Sequence, residues 1–179
     1  MTEAVQLNMK QALDLRAVTN TTKIHALEHA TIAVLESQFK RSRISGLSIP
    51  FGFILFGSCG IEEVRDAFEI ARARLAAGET ALAISKNCGT NIVVAGSMMT
   101  LAAMAVFSGT KNTKERIARF DLAVITLGLL SRYIRGAGNY VQKNFTTNPD
   151  VADLTADGIY STTILGQEAV FVRIVSQEG

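Results

Sequence analysis

The chain has 179 residues and a mass of 19.2 kDa, enough for one domain with a real core and too little for two ordinary ones. With 48% apolar and 19% charged residues, two prolines and a formal charge of +2, it is neither disordered nor collagen-like, and no basic surplus points to nucleic acid. A mean hydropathy of +0.24 is high for a soluble chain of this size and comes from local runs, which raises a membrane.

Residues 1 to 20 are mixed and weakly periodic, with a short helix expected around Val5 to Val18. The first thirty residues mix acid, base and amide side chains with no apolar run, so no secretory signal is expected. Asn20 and Thr21 can cap a helix, and Lys23 to Phe39 has no Gly or Pro, with apolar faces from Ile24, Leu27, Ile32, Val34 and Leu35. Ser45 to Gly60 carries Gly46, Pro50, Gly52, Gly57 and Gly60 around Phe51, Phe53, Ile54, Leu55 and Phe56, a pattern of loop, short buried strand and loop. A second amphipathic helix is expected from Ile61, Val64, Phe68, Ala71 and Leu75, with Glu62 and Glu63 in its first turn and Gly78 past its end. Thr80 to Ser85 reads as a short strand, and Lys86 to Thr90 as a turn in which Thr90 caps the next helix.

Ile92 to Phe107 is without charge and, with its flanks, approaches the length that crosses a hydrocarbon core of about 30 Å. Ser108 to Arg119 holds Lys111, Lys114, Arg116 and Arg119 against Glu115 alone, a basic loop. Leu122 to Leu130 is apolar again, but Asp121, Arg132 and Arg135 leave it shorter than a span unless the arginines snorkel. The expectation is a helical hairpin that dips into or crosses the bilayer, with its flanking polar parts on one side, taken as cytoplasmic. The competing reading packs the two helices in a soluble or homo-oligomeric core. Lys and Arg flank both runs, so the positive-inside rule does not choose a side. Gly158 to Leu165 and Glu168 to Ser176, joined around Gly166-Gln167, form a terminal β-hairpin. The fold class is therefore α+β with an inserted hydrophobic helical hairpin: 1–90 an N-terminal α/β part, 91–140 the hairpin, and 141–179 a β-hairpin returning to the first part.

Chemistry concentrates in His25-Ala26-Leu27-Glu28-His29, which contains both histidines of the chain. On a helix, positions i, i+3 and i+4 share a face, so two imidazoles can reach one ion with a carboxylate beside them. This is the inverted zincin pattern, with His25 and His29 as zinc ligands and Glu28 as general base; the bland alternative is a polar stripe on an amphipathic helix. A tetrahedral site needs a further protein ligand. Glu62, Glu63, Glu69, Glu79 and Glu115 do not stand out, whereas Cys88 sits before a helix N-terminus, where oriented N–H groups stabilise a thiolate. Cys88 as a small buried hydrophobe is the alternative, and Cys59 reads as structural. The two cysteines have no CxxC spacing, and no Walker A, GxGxxG or nucleophile elbow is present.

The runs HALEHATIAVLES (25–37) and NCGTNIVVAG (87–96), with the TT-x-PDV segment at Thr146 to Val151 and VFVR at Val170 to Arg173, resemble an uncharacterised bacterial family of unknown function over residues 22 to 175. HxxEH and CGT also resemble a second uncharacterised membrane family carrying HGAEH and HPxCGTS. This chain has Lys86-Asn87-Cys88-Gly89-Thr90 where that family has His-Pro-x-Cys-Gly-Thr, so the extra histidine and the proline are absent. The resemblance implies a membrane protein with a metal site and no established activity. Three functions follow as expectations: a membrane-attached, peptidase-like zinc hydrolase using His25, His29, Cys88 and Glu28; a non-catalytic subunit or assembly factor of a membrane complex, packing through Gly96, Ser97 and Ala102; and a soluble α+β oligomer.

Overall fold

The computed structural model describes residues 3–177, with side chains from Val18 onward. The fold is mixed α+β: among the described residues there are five α-helices and a four-stranded antiparallel sheet that includes a C-terminal β-hairpin. Contacts divide the chain into two units, one of residues 1–85 and 143–179, the other of residues 86–142.

In the first unit, α1 runs unbroken over Glu3–Ser37. Asn20 and Thr21 lie inside it and cap nothing, so the expected short helix and the helix from Lys23 are one. Residues with short polar side chains favour caps but do not force them when the flanking turns are helical and packed. Next come β1 (Ser45–Ile49) and β2 (Gly52–Phe56), paired antiparallel across Pro50-Phe51. The expected loop, strand and loop is therefore a two-stranded hairpin. Gly52 has φ +154, and a Cβ there would fall on the Val172 carbonyl oxygen, so the strand approaches its neighbour as only glycine allows.

Helix α2 (Ile61–Ala76) matches the expected element, buries Val64, Ala67, Phe68, Ala71 and Leu75, and is followed by Gly78 at φ +93. Glu63 accepts the Gly60 N–H at 3.1 Å, closing its N-terminus. Thr80–Ala83 is a single 3₁₀ turn, not the strand expected for Thr80 to Ser85. A short apolar run has no periodicity to separate the two, and it has no ladder partner here. Strands β3 (Leu154–Ile164) and β4 (Gln167–Ser176) form the terminal hairpin. Their two-residue turn is Leu165-Gly166, with both φ positive, as the twist of a tight hairpin requires. The order is β1-β2-β4-β3. Phe53, Leu55, Val170, Val172 and Ile174 alternate onto the buried face and meet Leu27, Val34, Leu35 and the α2 residues in one core.

Lys23 of α1 reaches Asp153 at 2.8 Å and Asp150 at 3.9 Å, and Ser176 Oγ donates to Asp153 at 3.0 Å. Burial pushes the Asp153 carboxyl up, but the hydrogen bonds from Lys23, Ser176 and its own backbone, with the Lys23 charge, hold it below the ordinary range. A carboxyl depressed in the folded state adds stability above its unfolded value of about 3.9 and loses it as pH falls through the lower folded value. Asp153→Asn should therefore lower the urea midpoint at pH 7, with the gap to wild type closing as pH falls below about 4. A constant gap across that range would dismiss the linkage.

The second unit is an antiparallel helix pair. Helix α3 (Gly89–Phe107) and α5 (Phe120–Val141) pack on each other, and the short α4 (Thr113–Ala118) lies between them in the chain. The facing positions repeat at helical spacing: Asn91, Val94, Met98 and Ala102 on α3, Ala123, Leu127, Leu130 and Ile134 on α5. Gln142 Nε2 donates to Asn91 Oδ1 at 2.8 Å near the open end of the pair. Among the described residues, α3 is the one helix long and apolar enough to cross a membrane, and none of its residues is buried.

Candidate metal centre

Helix α1 turns His25 and His29 to one side, with ring centroids 4.3 Å apart and planes tilted by 59°. Each ring is held by a backbone carbonyl. Nδ1 of His25 lies 2.9 Å from the Thr146 carbonyl oxygen, and Nδ1 of buried His29 lies 2.7 Å from that of Ala83. A carbonyl only accepts, so in the neutral rings both protons sit on Nδ1 and both Nε2 atoms keep a lone pair. That orientation by an outer acceptor is what metal-binding histidines use. The 3₁₀ turn at Thr80–Ala83 and a π-turn at Gln142–Thr146 supply the two carbonyls. Thr146 Oγ1 is buried and has no hydrogen-bond partner.

The ligand nitrogens of the two rings lie within 4.8 Å of each other, close enough to share one ion. Cys88 is buried and is the N-cap of α3, where its Sγ accepts the Thr90 N–H at 3.4 Å. The expected cap at Thr90 is thus two residues late: the Cys88 sulfur caps, and Thr90 donates to it. Cys59, by contrast, is half-buried, its Sγ is 3.6 Å from the Gly57 carbonyl, and burial together with the Glu63 charge pushes its thiol up. It behaves as a neutral structural thiol.

Glu28 is buried, only 4% exposed. Its carboxylate accepts a short hydrogen bond from Ser48 Oγ on β1 and packs on Gly46, where a Cβ would fall on the carboxylate. Gly46→Ala should therefore destabilise the fold by about 1–3 kcal/mol, as overpacking does when the displaced group cannot move away. A urea midpoint equal to wild type would show that Glu28 has room. The other acids are used elsewhere. Glu63 pairs with Arg41 at 2.6 Å, Glu62 with Arg65, Glu69 with Arg72, Glu79 with Arg74, and the Glu115 carboxylate accepts the Lys111 N–H and the Asn112 side-chain amide at the start of α4. The Arg41 hydrogen bonds hold the Glu63 carboxyl below its usual value, and those of Arg74 do the same for Glu79. The roles of Ala83, Thr146, Gly46 and Ser48 have no sequence signal, because carbonyls and small residues carry no motif.

A family model for a domain of unknown function, DUF6391, matches residues 20–159, a span that includes the histidine pair, Cys88 and the whole helix pair. The chain belongs to this family. An uncharacterised protein of Picosynechococcus sp. (strain ATCC 27264 / PCC 7002 / PR-6) is 32% identical over 174 residues, covering 92% of this DUF6391 chain and 83% of the relative. No solved structure matches.

Proposed function

We propose that this DUF6391 protein is a membrane-anchored metal-binding protein in which His25, His29 and Cys88 hold a zinc-class ion. The observation that carries the reading is the pair of imidazoles, one helical turn apart, each oriented through Nδ1 by a backbone carbonyl and with ligand nitrogens within 4.8 Å of each other. Two nitrogens and one thiolate are a donor set suited to zinc, leaving one tetrahedral position for water or another ligand. Cys88 follows Ala83 by five residues, so the chain cannot carry it more than about 18 Å from the carbonyl that orients His29. The sulfur's place at a helix N-terminus favours the thiolate that metals bind. The unpartnered Thr146 hydroxyl, on the residue that orients His25, adds a polar group for such a ligand. When bound, zinc would supply Lewis acidity at that open position.

The engagement of Glu28 with Ser48 favours a non-catalytic role, a subunit or assembly factor, over the hydrolase reading, in which Glu28 would have to take a proton from water. Membrane attachment is supported by an α3 that is apolar on every side and unburied, with Ile92 74% and Val93 68% exposed. Carbonate-washed membranes should retain the chain with about one equivalent of zinc, the stoichiometry of a single site. Release of the chain, or retention without metal, would remove the corresponding half of the proposal.

A further inference from the structure

The tip of the helix pair, residues 107–121, carries Lys111, Lys114, Arg116 and Arg119 against Glu115 and Asp121. Two of these charges are consumed locally. Glu115 accepts the Lys111 backbone N–H at 2.8 Å and the Asn112 side-chain amide at 2.9 Å. Arg119 donates to the carbonyls of Val106 at 2.9 Å and Ser108 at 2.8 Å, satisfying the last turn of α3. The side chains of Lys111, Lys114 and Arg116 form no ion pair among the described residues. Beside them is a cleft of about 640 Å³ walled by Phe107, Thr110, Arg116, Ile117, Phe120 and Asp121. Ile117 is 70% and Phe120 61% exposed.

We propose that this tip is an anionic-lipid site at the membrane surface, with Lys111, Lys114 and Arg116 on the headgroup phosphate and the apolar cleft wall on the start of an acyl chain. The inference rests on the membrane reading above. The 19 residues of α3 span about 28 Å, close to the hydrocarbon thickness, so the tip falls at a bilayer surface when the helix crosses. Three cations without carboxylate partners cannot stop inside hydrocarbon, which excludes a hairpin that ends midway. At the surface they meet phosphates, and the exposed Ile117 and Phe120 meet the acyl boundary. An acidic soluble peptide would satisfy the charges and leave those apolar side chains in water.

The chain has no tryptophan, so Ile117→Trp introduces a single reporter. In phosphatidylcholine nanodiscs, brominated phosphatidylglycerol should quench it at least about twofold more than brominated phosphatidylcholine at equal content, and high salt should reduce that excess. Adding Lys111→Gln, Lys114→Gln and Arg116→Gln should abolish the excess, and Arg116→Gln alone, the variant least able to disturb folding, should reduce it. Equal quenching by both lipids, or an excess untouched by the glutamine variants, overturns the site while leaving the membrane reading standing. No quenching by either lipid overturns both.

Discussion

Zinc affinity should fall by more than about 100-fold when His29 is replaced by alanine, because losing a ligand exceeds the 10–100-fold cost of losing an outer-shell partner. The nitrogen to be removed is locked: the His29 ring is buried, and its Nδ1 is tied to Ala83 at 2.7 Å. A neighbouring group cannot swing in to replace it without breaking into the α1 core, where Ala26, Leu27 and Ala30 are fully buried. Titration with cobalt(II) separates the donors. Wild type should give a sulfur-to-cobalt charge-transfer band, Cys88→Ser should lose the band and keep weak binding, and His29→Ala should lose both. Metal binding to the folded state alone also raises stability, by about 2.7 kcal/mol at 100 times the dissociation constant. A chelator should therefore lower the melting temperature of wild type and leave His29→Ala unchanged. The metal-free comparison isolates the structural cost of the lost Ala83 hydrogen bond. Equal zinc content and equal chelator response in the two proteins would dismiss the site.

The largest effect on stability is expected at Phe68. Its ring is fully buried on α2 and stacks on that of Phe53 from β2, with centroids 6.3 Å apart and planes 28° from parallel. These two rings join helix layer to sheet, and Val64, Ala71, Leu55 and Val172 close around them in the same core. Phe68→Ala removes the transfer energy of a large side chain and leaves a cavity that a close-packed interior only partly refills, a cost of about 3–5 kcal/mol. Against a total stability of about 5–15 kcal/mol, this should shift the urea midpoint far more than any surface change. Phe51→Ala is the control, since that ring is 58% exposed and the edge-on contact it makes with Phe171, centroids 6.2 Å apart, is worth about 0.5–1.5 kcal/mol. Similar shifts in the two variants would mean that the Phe53–Phe68 contact is not the centre of the core.

Helix α2 was legible in the sequence because its apolar residues recur at helical spacing between two first-turn acids and a terminal glycine. The charge-free run that became α3 was legible for a similar reason, since no short-range alternative accommodates so long an apolar stretch. Ser45-Gly46-Leu47-Ser48 was not, because one leucine among two serines and a glycine does not read as a strand. Pairing with β2 makes it one, and the carboxylate of Glu28 occupies the space that the missing Gly46 side chain leaves. The six-residue run at Thr80 is the reverse case, where strand-like composition yields a 3₁₀ turn that has no ladder to join.

The sequence by itself determined which residues carry the chemistry and which are apolar: both histidines and a glutamate within five residues, a cysteine just before a helix, and a helix without charge. Those are properties of composition and short-range spacing, and the helix period alone places the two imidazoles together. Tertiary structure decided what each group does. It placed two carbonyls, from turns 54 and 121 residues away, on the Nδ1 atoms of His29 and His25, and it turned Glu28 into the sheet beneath Ser48. The reason is that tautomer, lone-pair direction and carboxylate engagement are set by hydrogen-bond partners distant in the chain, and a backbone carbonyl leaves no mark in the sequence that predicts where it will point.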